Sequence, residues 1–312
     1  MKRTVSIALS IVFLCLLTLP SWAESNHNSA DDFAICFVEK EMNNDLVKLK
    51  KSFLTHDGNA AIETLKSWED VPVELDSREK QNQLLPLENP RSVIGSDGRT
   101  IVSNTGILPY SAIVCLDIYY DGDILPSRGT GALISESVIL TAGHCLYDAE
   151  KGWAKRIRLV PGKNGILNYP FGSAYSKTMS VSQFWYDSAD PEYDWGVILF
   201  DNTFSSNPGY LQFGFAQGNP FQAKISGYPL YVGSNIITRH KQYEMDGLVY
   251  SSDDTNLFYY NIDTSGGQSG APILNTNNVI VGIHTRGASD CNYGTQITLA
   301  LDLYLRLLIN SD

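Results

Sequence analysis

An all-β fold is what the sequence predicts for residues 92–312. This region contains many short runs rich in β-branched or aromatic residues, among them 156–160, 195–200, 257–262 and 279–284. Turn-forming residues separate the runs, and this spacing is typical of a barrel or a sandwich. The whole chain of 312 residues has 25 Gly, 17 Tyr and only 18% charged residues, which agrees with many strands and turns.

Individual elements can be placed by their turn signals. The runs 110–120 and 124–135 are separated by Asp-Gly-Asp at 121–123, which predicts a β-hairpin. Residues 275–278 form a second turn between two later strands. Residues 301–309 instead carry apolar residues at helical spacing, so a short C-terminal helix is expected there.

Residues 1–23 have the pattern of a secretory signal peptide. Lys2 and Arg3 precede an apolar run at 7–19, and residues 20–23 supply a break and a small-residue cleavage site. The apolar run, at about 13 residues, is shorter than the roughly 20 that a membrane-spanning helix needs. The sequence therefore predicts a secreted protein, extracellular or, in a cell with an outer membrane, periplasmic. No membrane attachment is expected after the signal is removed.

Residues 24–91 differ in composition from the strand-rich part. Apolar residues recur at helical spacing in 33–54, and alanine and leucine recur in 59–68, which predicts one or two amphipathic helices. Residues 81–90 are polar and contain two prolines, as expected of an exposed linker. The segment is either a small helical domain or a helical pro-segment, and composition alone leaves both open.

Charge and cysteine content exclude some kinds of partner and site. The net charge is −11 with no long basic run, so no nucleic-acid partner is expected. No CxxC pair occurs, so a structural zinc site has no support. Once the signal is removed, the cysteines in an oxidising compartment allow three pairings. They are Cys36, Cys115, Cys145 and Cys291.

Three short segments carry residues suited to nucleophilic chemistry. The segment TAGHC places His144 at the end of an apolar strand, and Asp194 stands at the start of a later buried run. The segment SGGQSGAP places Ser269 inside a glycine-rich turn. Alone, each is a weak signal, because a single His, a strand-end Asp or a glycine-rich loop is usually structural. Together, in the order His, Asp, Ser within a secreted all-β chain, they indicate a catalytic triad.

The chemistry explains why these residue types are needed together. A serine hydroxyl becomes an effective nucleophile when an imidazole takes its proton, and a carboxylate holds the imidazole in one tautomer. The glycines beside Ser269 allow a tight turn, so that the N–H groups of Gly267 and Ser269 can converge on an oxyanion. An α/β-hydrolase would have the order Ser, acid, His and a G-x-S-x-G elbow, and this chain has neither.

These motifs resemble those of the chymotrypsin-fold serine proteases, and more narrowly those of the bacterial secreted glutamyl endopeptidases. The resemblance spans residues 92–306. It implies two six-stranded β-barrels packed face to face, with a boundary near 201–210 and the catalytic cleft between them. His144 and Asp194 would come from the first barrel and Ser269 from the second. The family's chemistry requires no metal and no organic cofactor.

The resemblance also assigns the pocket that selects the substrate side chain. It implies that Thr264 and His284 bind the carboxylate of a substrate Glu or, less readily, Asp. A buried carboxylate needs hydrogen-bond donors and preferably positive charge, which a hydroxyl and an imidazole supply. Asp263 in the pocket would instead favour Lys or Arg, but strand alternation puts Asp263 and Thr264 on opposite faces.

The segment SVIGSDGRT, which begins at Ser92, resembles the mature amino terminus of this family. The resemblance implies that cleavage before Ser92 removes a propeptide of residues 24–91 and that the freed amine adds positive charge to the pocket. Most animal members bury that amine against an Asp just before the catalytic serine, whereas this chain has Gln268 there. We therefore expect a zymogen whose amine serves the pocket, with residues 92–312 as the protease domain.

One departure from the family concerns the disulfides. Many relatives have a cysteine near the position of Gly129 that pairs with the cysteine after the catalytic histidine. We expect Cys115, on the neighbouring strand, to take over this role and pair with Cys145. Cys291 is then left without an assigned partner.

The sequence thus predicts a secreted serine endopeptidase that acts as a monomer on protein or peptide substrates. Three alternatives stay open at this point. The same fold could have another or a broad specificity, the chain could be a catalytically silent binding module, and the pro-segment could act as an inhibitor.

Overall fold

A computed structural model describes residues 35–42, 46–54, 60–64, 91–232 and 240–310, and the structural statements below concern these residues. The predicted signal peptide lies outside them. The helices are α1 Gln183–Ser188 and α2 Leu299–Asn310. The strands are β1 Ile35–Glu41, β2 Leu46–Leu54, β3 Ala60–Thr64, β4 Arg91–Ser92, β5 Thr100–Ile101, β6 Ile113–Tyr119, β7 Ser127–Leu133, β8 Val138–Thr141, β9 Tyr147–Asp148, β10 Gly152–Trp153, β11 Arg156–Pro161, β12 Ala174–Ser182, β13 Gly196–Phe200, β14 Phe221–Gly227, β15 Tyr243–Ser251, β16 Leu257–Tyr260, β17 Thr264–Ser265, β18 Pro272–Asn275, β19 Ile280–Gly287 and β20 Asn292–Gln296.

The first barrel is a closed antiparallel sheet with the strand order β11-β6-β7-β8-β13-β12, closed by pairing of β11 with β12. On β6, Val114 and Leu116 lie in the core of this barrel, while the alternate residues Ile113 and Cys115 lie in a separate cluster with Tyr228. The period of two along the strand thus buries one face inside the barrel and the other against the second barrel.

The second barrel has the order β14-β18-β19-β20-β16-β15 and is closed by pairing of β14 with β15. Its core contains Ile225, Val249, Phe258, Ile273 and Val281. The short strand β5 extends this sheet by pairing with β15. The prediction of two six-stranded barrels is therefore confirmed, and the chain passes from one barrel to the other between the end of β13 and the start of β14.

The predicted C-terminal helix is also confirmed, as α2. Leu301, Tyr304 and Leu305 are buried and belong to the core of the first barrel. The ring of Tyr304 lies 5.6 Å from that of Trp195. The helix therefore closes one end of that core. Among the residues described, no helix has the length and apolar character needed to cross a membrane.

The helices predicted for residues 33–54 and 59–68 are wrong in the described parts, which form β1, β2 and β3. Strand β1 pairs with β12 and extends the sheet of the first barrel, followed by β2 and β3. Phe37 and Val38 of β1 are 0% and 1% exposed, so this pairing buries apolar side chains in the barrel core. A short apolar run is compatible with a strand as well as with a helix, and here pairing with the edge of β12 favours the strand.

Candidate active site

His144 and Asp194 are brought together by two neighbouring strands of the first barrel. Strand β8 ends just before the short turn that carries His144, and β13 begins just after Asp194. The two strands pair with Gly196 opposite Thr141. Asp194 Oδ2 lies 2.7 Å from His144 Nδ1, and Asp194 Oδ1 accepts the main-chain N–H of His144 at 2.9 Å. Because an ionised carboxylate only accepts, Nδ1 carries the ring proton and Nε2 is left as a base.

The electrostatic surroundings make this imidazole a stronger base than an ordinary histidine. Burial acts against the charged form of His144, but the attraction of Asp194, with contributions from Cys145 and from the hydrogen bond to Asp194, raises the pKa of His144 well above 6.5. The Asp194 side chain is itself only 5% exposed, so water screens its charge weakly.

Ser269 lies in a tight turn of the second barrel that requires glycine on both sides. Gly267 and Gly270 have φ angles of +97° and +82°. A Cβ on Gly270 would lie 2.1 Å from the carbonyl oxygen of Thr130, and one on Gly267 would lie 2.5 Å from that of Tyr228. The Ser269 carbonyl accepts the N–H of Thr130 at 2.8 Å. Since Thr130 belongs to β7, this bond holds the partly exposed Ser269 at the junction of the two barrels.

The N–H groups of Gly267 and Ser269 are available to bind an anion. The Gly266 carbonyl accepts a backbone N–H at 2.7 Å, and the Gln268 carbonyl accepts another at 2.9 Å. The C=O and N–H of a trans peptide point in opposite directions, so the following N–H groups, those of Gly267 and Ser269, point away from these partners. Neither group donates to a protein atom in the part of the chain that the structure describes.

The predicted pocket residues are both buried in the second barrel. Thr264, 1% exposed, lies in β17 and pairs with Ser92 of β4, which puts the expected amino terminus beside it. His284, 3% exposed, lies in β19. Its carbonyl accepts the N–H of Gly270 at 2.7 Å and its N–H donates to the carbonyl of Ala271 at 2.8 Å. The main chain of His284 is therefore attached directly to the turn that carries the nucleophile candidate.

Tyr260 fixes the position of the proton on His284. The Tyr260 hydroxyl lies 2.8 Å from His284 Nδ1 and donates to the Tyr293 carbonyl at 2.9 Å. A hydroxyl has one hydrogen, so it must accept from Nδ1–H. Burial, with the nearby charges of His144 and Arg99, lowers the pKa of His284 to about 3. The free site therefore holds a neutral imidazole whose Nε2 has no hydrogen.

Asp263 points away from the pocket, as strand alternation predicts. Its Oδ1 accepts the N–H of Ile94 at 2.7 Å, and its Oδ2 accepts the N–H of Gly98 at 2.8 Å. The side chain is 2% exposed and both oxygens are occupied by these backbone donors. Asp263 therefore anchors the segment after Ser92 to the second barrel.

Sequence reasoning missed two residues of this site. Nothing in the sequence distinguishes Tyr260 from the other aromatic residues of its strand. Arg99 has a side chain that is 1% exposed and donates to Gln268, the residue before Ser269. A signal for Arg99 did exist, because Gln268 replaces the Asp that most animal members have just before the catalytic serine, and a buried amide there needs some polar partner.

The predicted pairing of Cys115 with Cys145 is wrong, because both are free thiols. Cys115 lies on the face of β6 that packs toward the second barrel, with its Sγ 3.8 Å from Lys163 Nζ. Cys145 lies in the core of the first barrel, where its Sγ is 3.6 Å from the Ser269 carbonyl oxygen. Strand alternation therefore separates the two sulfur atoms. Cys291 is also a free thiol.

Comparison with known proteins agrees with this arrangement. The family model described as "Trypsin" matches residues 118–305. An "Extracellular metalloprotease" of Bacillus subtilis is 35% identical over 220 residues, 67% of each chain. A "Glutamyl endopeptidase" of Bacillus licheniformis is 34% identical over 242 residues, 72% of each chain. A solved structure of a Glu endopeptidase in complex with MPD is 35% identical, covers 70% of this chain and 99% of its own, and superposes with a TM-score of 0.61.

Proposed function

This chain belongs to the trypsin family of chymotrypsin-fold serine proteases, and from that premise we propose that it is a secreted endopeptidase, made as a zymogen, that cleaves after Glu and less readily after Asp. The observation that carries the Glu preference is the buried imidazole of His284, which is attached to the turn of Ser269 and, among the described residues, has no acidic hydrogen-bond partner. A carboxylate could enter such a site, whereas the described hydrogen-bond partners of His284 offer no negative charge to a Lys or Arg side chain.

The proposed reaction uses the three residues of the triad in their usual roles. Ser269 Oγ attacks the scissile carbonyl carbon while His144 Nε2 takes the hydroxyl proton, and Asp194 stabilises the imidazolium that forms. The tetrahedral intermediate collapses when His144 gives this proton to the leaving amine, which produces the acyl-enzyme. His144 then takes a proton from water, the hydroxide attacks the ester, and the proton returns to Ser269 Oγ.

The N–H groups of Gly267 and Ser269 would stabilise the oxyanion of both tetrahedral intermediates. Loss of one such donor typically costs about 3 to 4 kcal/mol in the transition state. The carbonyls that precede both N–H groups are already bound elsewhere, so no peptide has to reorient before reaction. This supports a catalytically competent arrangement and argues against a silent binding module.

The pocket would bind the Glu carboxylate through His284, Thr264 and the amine of Ser92. His284 must carry a second proton, on Nε2, to donate to the substrate, because Nδ1–H is committed to Tyr260. The pairing of Ser92 with Thr264 supports a role for the amine freed by cleavage before Ser92. Mature enzyme extended by one residue before Ser92 should cleave Glu substrates much more slowly, and unchanged kinetics would contradict this role.

A second function class comes from the name of one relative. The Bacillus subtilis protein is called a metalloprotease, whereas the described residues of this chain contain no group of three or more His, Cys, Asp or Glu that could hold a metal ion. Incubation with EDTA and with a fluorophosphonate separates the two classes. We expect full activity after EDTA treatment and complete loss after fluorophosphonate, and the reverse pattern would favour the metalloprotease.

Peptide-library profiling of the mature enzyme beside Ser269→Ala tests the proposal as a whole. Cleavage after Glu, weaker cleavage after Asp and none by the variant would support it. Cleavage after Lys or Phe with none after Glu would disprove the specificity but keep the protease. Equal cleavage by Ser269→Ala would remove Ser269 from the mechanism.

A further inference from the structure

Arg99 is a buried cation close to the turn that carries Ser269. Its side chain is 1% exposed, although its neighbours in sequence lie on the surface. A guanidinium keeps its charge at any physiological pH and has five N–H donors. Burial of this group is tolerated only where each donor finds an acceptor and a carboxylate balances the charge.

Every donor of Arg99 has a partner. Nε and Nη2 donate to the two carboxylate oxygens of Asp97 at 2.9 and 2.7 Å, and Nη2 also donates to the Tyr231 carbonyl at 3.0 Å. Nη1 donates to Ser265 Oγ at 2.8 Å and to Gln268 Oε1 at 2.7 Å. The hydrogen bond from Arg99 lowers the pKa of Asp97, so the pair is ionised at neutral pH. Arg99 thus joins the amino-terminal segment of the protease domain to the turn before Ser269.

Gln268 connects Arg99 to the anion-binding N–H groups. Its Oε1 also accepts the N–H of Ser265 at 3.0 Å, and its own N–H donates to the Ser265 carbonyl at 3.0 Å. These bonds close a compact turn with Gly267 inside it. The carbonyl carbon of Gln268 belongs to the same peptide as the N–H of Ser269, so the position of Gln268 sets the direction of that N–H.

We propose that Arg99 is a positioning residue that holds the oxyanion-binding N–H groups of Gly267 and Ser269 in place through Gln268. The proposal rests on the proposed function, since it takes Ser269 as the nucleophile. Oxyanion stabilisation depends on donors fixed before the charge forms. The charge-assisted hydrogen bond from Arg99 to Gln268, at 2.7 Å, fixes the residue that precedes Ser269.

Arg99→Met is the variant that tests this. Methionine replaces the buried stem of Arg99 with an uncharged chain, and Asp97, whose side chain is 34% exposed, can be solvated after the change. We expect kcat per active site to fall about 10- to 100-fold, because donors needed in the transition state lose their alignment. KM for a Glu substrate should not rise, since loss of the Arg99 charge favours protonation of His284. Affinity for a peptide aldehyde, which forms a tetrahedral adduct, should fall by the same factor, and affinity for the cleaved product should not.

Two further variants distinguish positioning from a merely structural role. Arg99→Lys should recover part of kcat, because an ammonium can reach one acceptor but cannot span the whole set. The matched control is Arg158→Met, which removes a half-buried arginine that pairs with Asp117 and lies over the ring of Tyr169. This control should keep kcat, with any change limited to thermal stability.

Gln268→Met keeps the test informative if Arg99→Met fails to fold. It removes the acceptor between Arg99 and the turn, so it should lower kcat to a similar extent. In a double-mutant cycle the two effects should not add, because both break one contact. Full additivity, or kcat within threefold of wild type in either single variant, would overturn the proposal.

Labelling by a fluorophosphonate separates this proposal from the proposed function. If wild-type enzyme is not labelled at Ser269, the proposed function fails. If wild-type enzyme and Arg99→Met are labelled at equal rates, the serine protease chemistry stands and only the role of Arg99 is disproved.

Discussion

The preference for a Glu substrate over its uncharged Gln analogue should decrease as pH rises from 5 to 7. The perturbation is pH alone, and the group that responds is His284. Its pKa is about 3 in the free enzyme, and its Nε2 must be protonated to donate to a substrate carboxylate. Binding of Glu therefore takes up a proton, while binding of Gln does not require one.

The magnitude follows from the charges that meet in the pocket. Two unit charges about 4 Å apart attract each other by about 4 kcal/mol at an effective dielectric constant of about 20. Since one pKa unit corresponds to about 1.4 kcal/mol, a bound carboxylate raises the pKa of His284 by about 3 above its value in the free enzyme. Between its free and bound pKa values, affinity for Glu falls tenfold per pH unit as pH rises. The preference should therefore be about tenfold larger at pH 5 than at pH 7.

The assay is the ratio of kcat/KM for two peptides that differ only in Glu or Gln at the cleavage site. Titration of His144 affects both substrates equally and cancels in this ratio. The Glu side chain itself is ionised above about pH 5. Equal ratios at pH 5 and pH 7 would refute proton uptake by His284. A further decrease of this ratio near pH 8 would indicate deprotonation of the Ser92 amine, and extension of the amino terminus should abolish this second decrease.

Tyr260→Phe provides the matched control for this experiment. Without the hydroxyl, Nδ1 of His284 loses its acceptor, and the neutral ring is free to carry its proton on Nε2 instead. This variant should bind Glu without proton uptake, so its Glu-to-Gln ratio should lose most of the dependence on pH. A pH dependence equal to that of wild type would show that Tyr260 does not fix the tautomer.

Three further outcomes are expected. A Cβ built at Gly129 lies 2.9 Å from Cys145 Sγ, a distance found in disulfides, so Gly129→Cys should form a disulfide with Cys145. This disulfide should add about 3 kcal/mol of stability, measured as the difference in Tm with and without reductant. Titration of two free thiols per molecule at these positions would contradict disulfide formation. Gly270→Ala should yield no active enzyme, because the Cβ would lie 2.1 Å from two oxygen atoms, whereas Gly214→Ala, with open space around it, should keep wild-type activity and Tm. Phe37→Ala should lower the free energy of unfolding of the precursor by about 3 to 5 kcal/mol in denaturant titrations, and an unchanged midpoint would show that β1 does not contribute to the core.

Strand-rich parts of the chain could be predicted well because their signals are local. Alternating apolar residues and turn residues mark β6, β7 and β19, whereas non-consecutive neighbours in the barrels, such as β8 beside β13, do not follow from these local signals. The contact of His144 with Asp194 could also be predicted, since each residue stands at the end of a recognisable buried strand.

The wrong predictions have a common physical cause: the structure of each segment depends on residues distant in sequence. The spacing of apolar residues in 33–54 and 59–68 allows helices, but the edge of β12, more than a hundred residues away, makes strands of their described parts. The Cys115–Cys145 pairing failed because sequence proximity to a hairpin does not reveal which face of β6 a side chain occupies.

The amino-acid sequence establishes which groups are available for chemistry: a serine, a histidine and an aspartate at strand ends, two glycines that permit a tight turn, and a second histidine. The protonation and alignment of these groups depend on contacts that folding creates. Burial and Tyr260 set the pKa and tautomer of His284, and Arg99 meets Gln268 across 169 residues of sequence. Residue types are encoded locally, whereas protonation and alignment depend on the dielectric, the charges and the donors that folding brings from elsewhere in the chain.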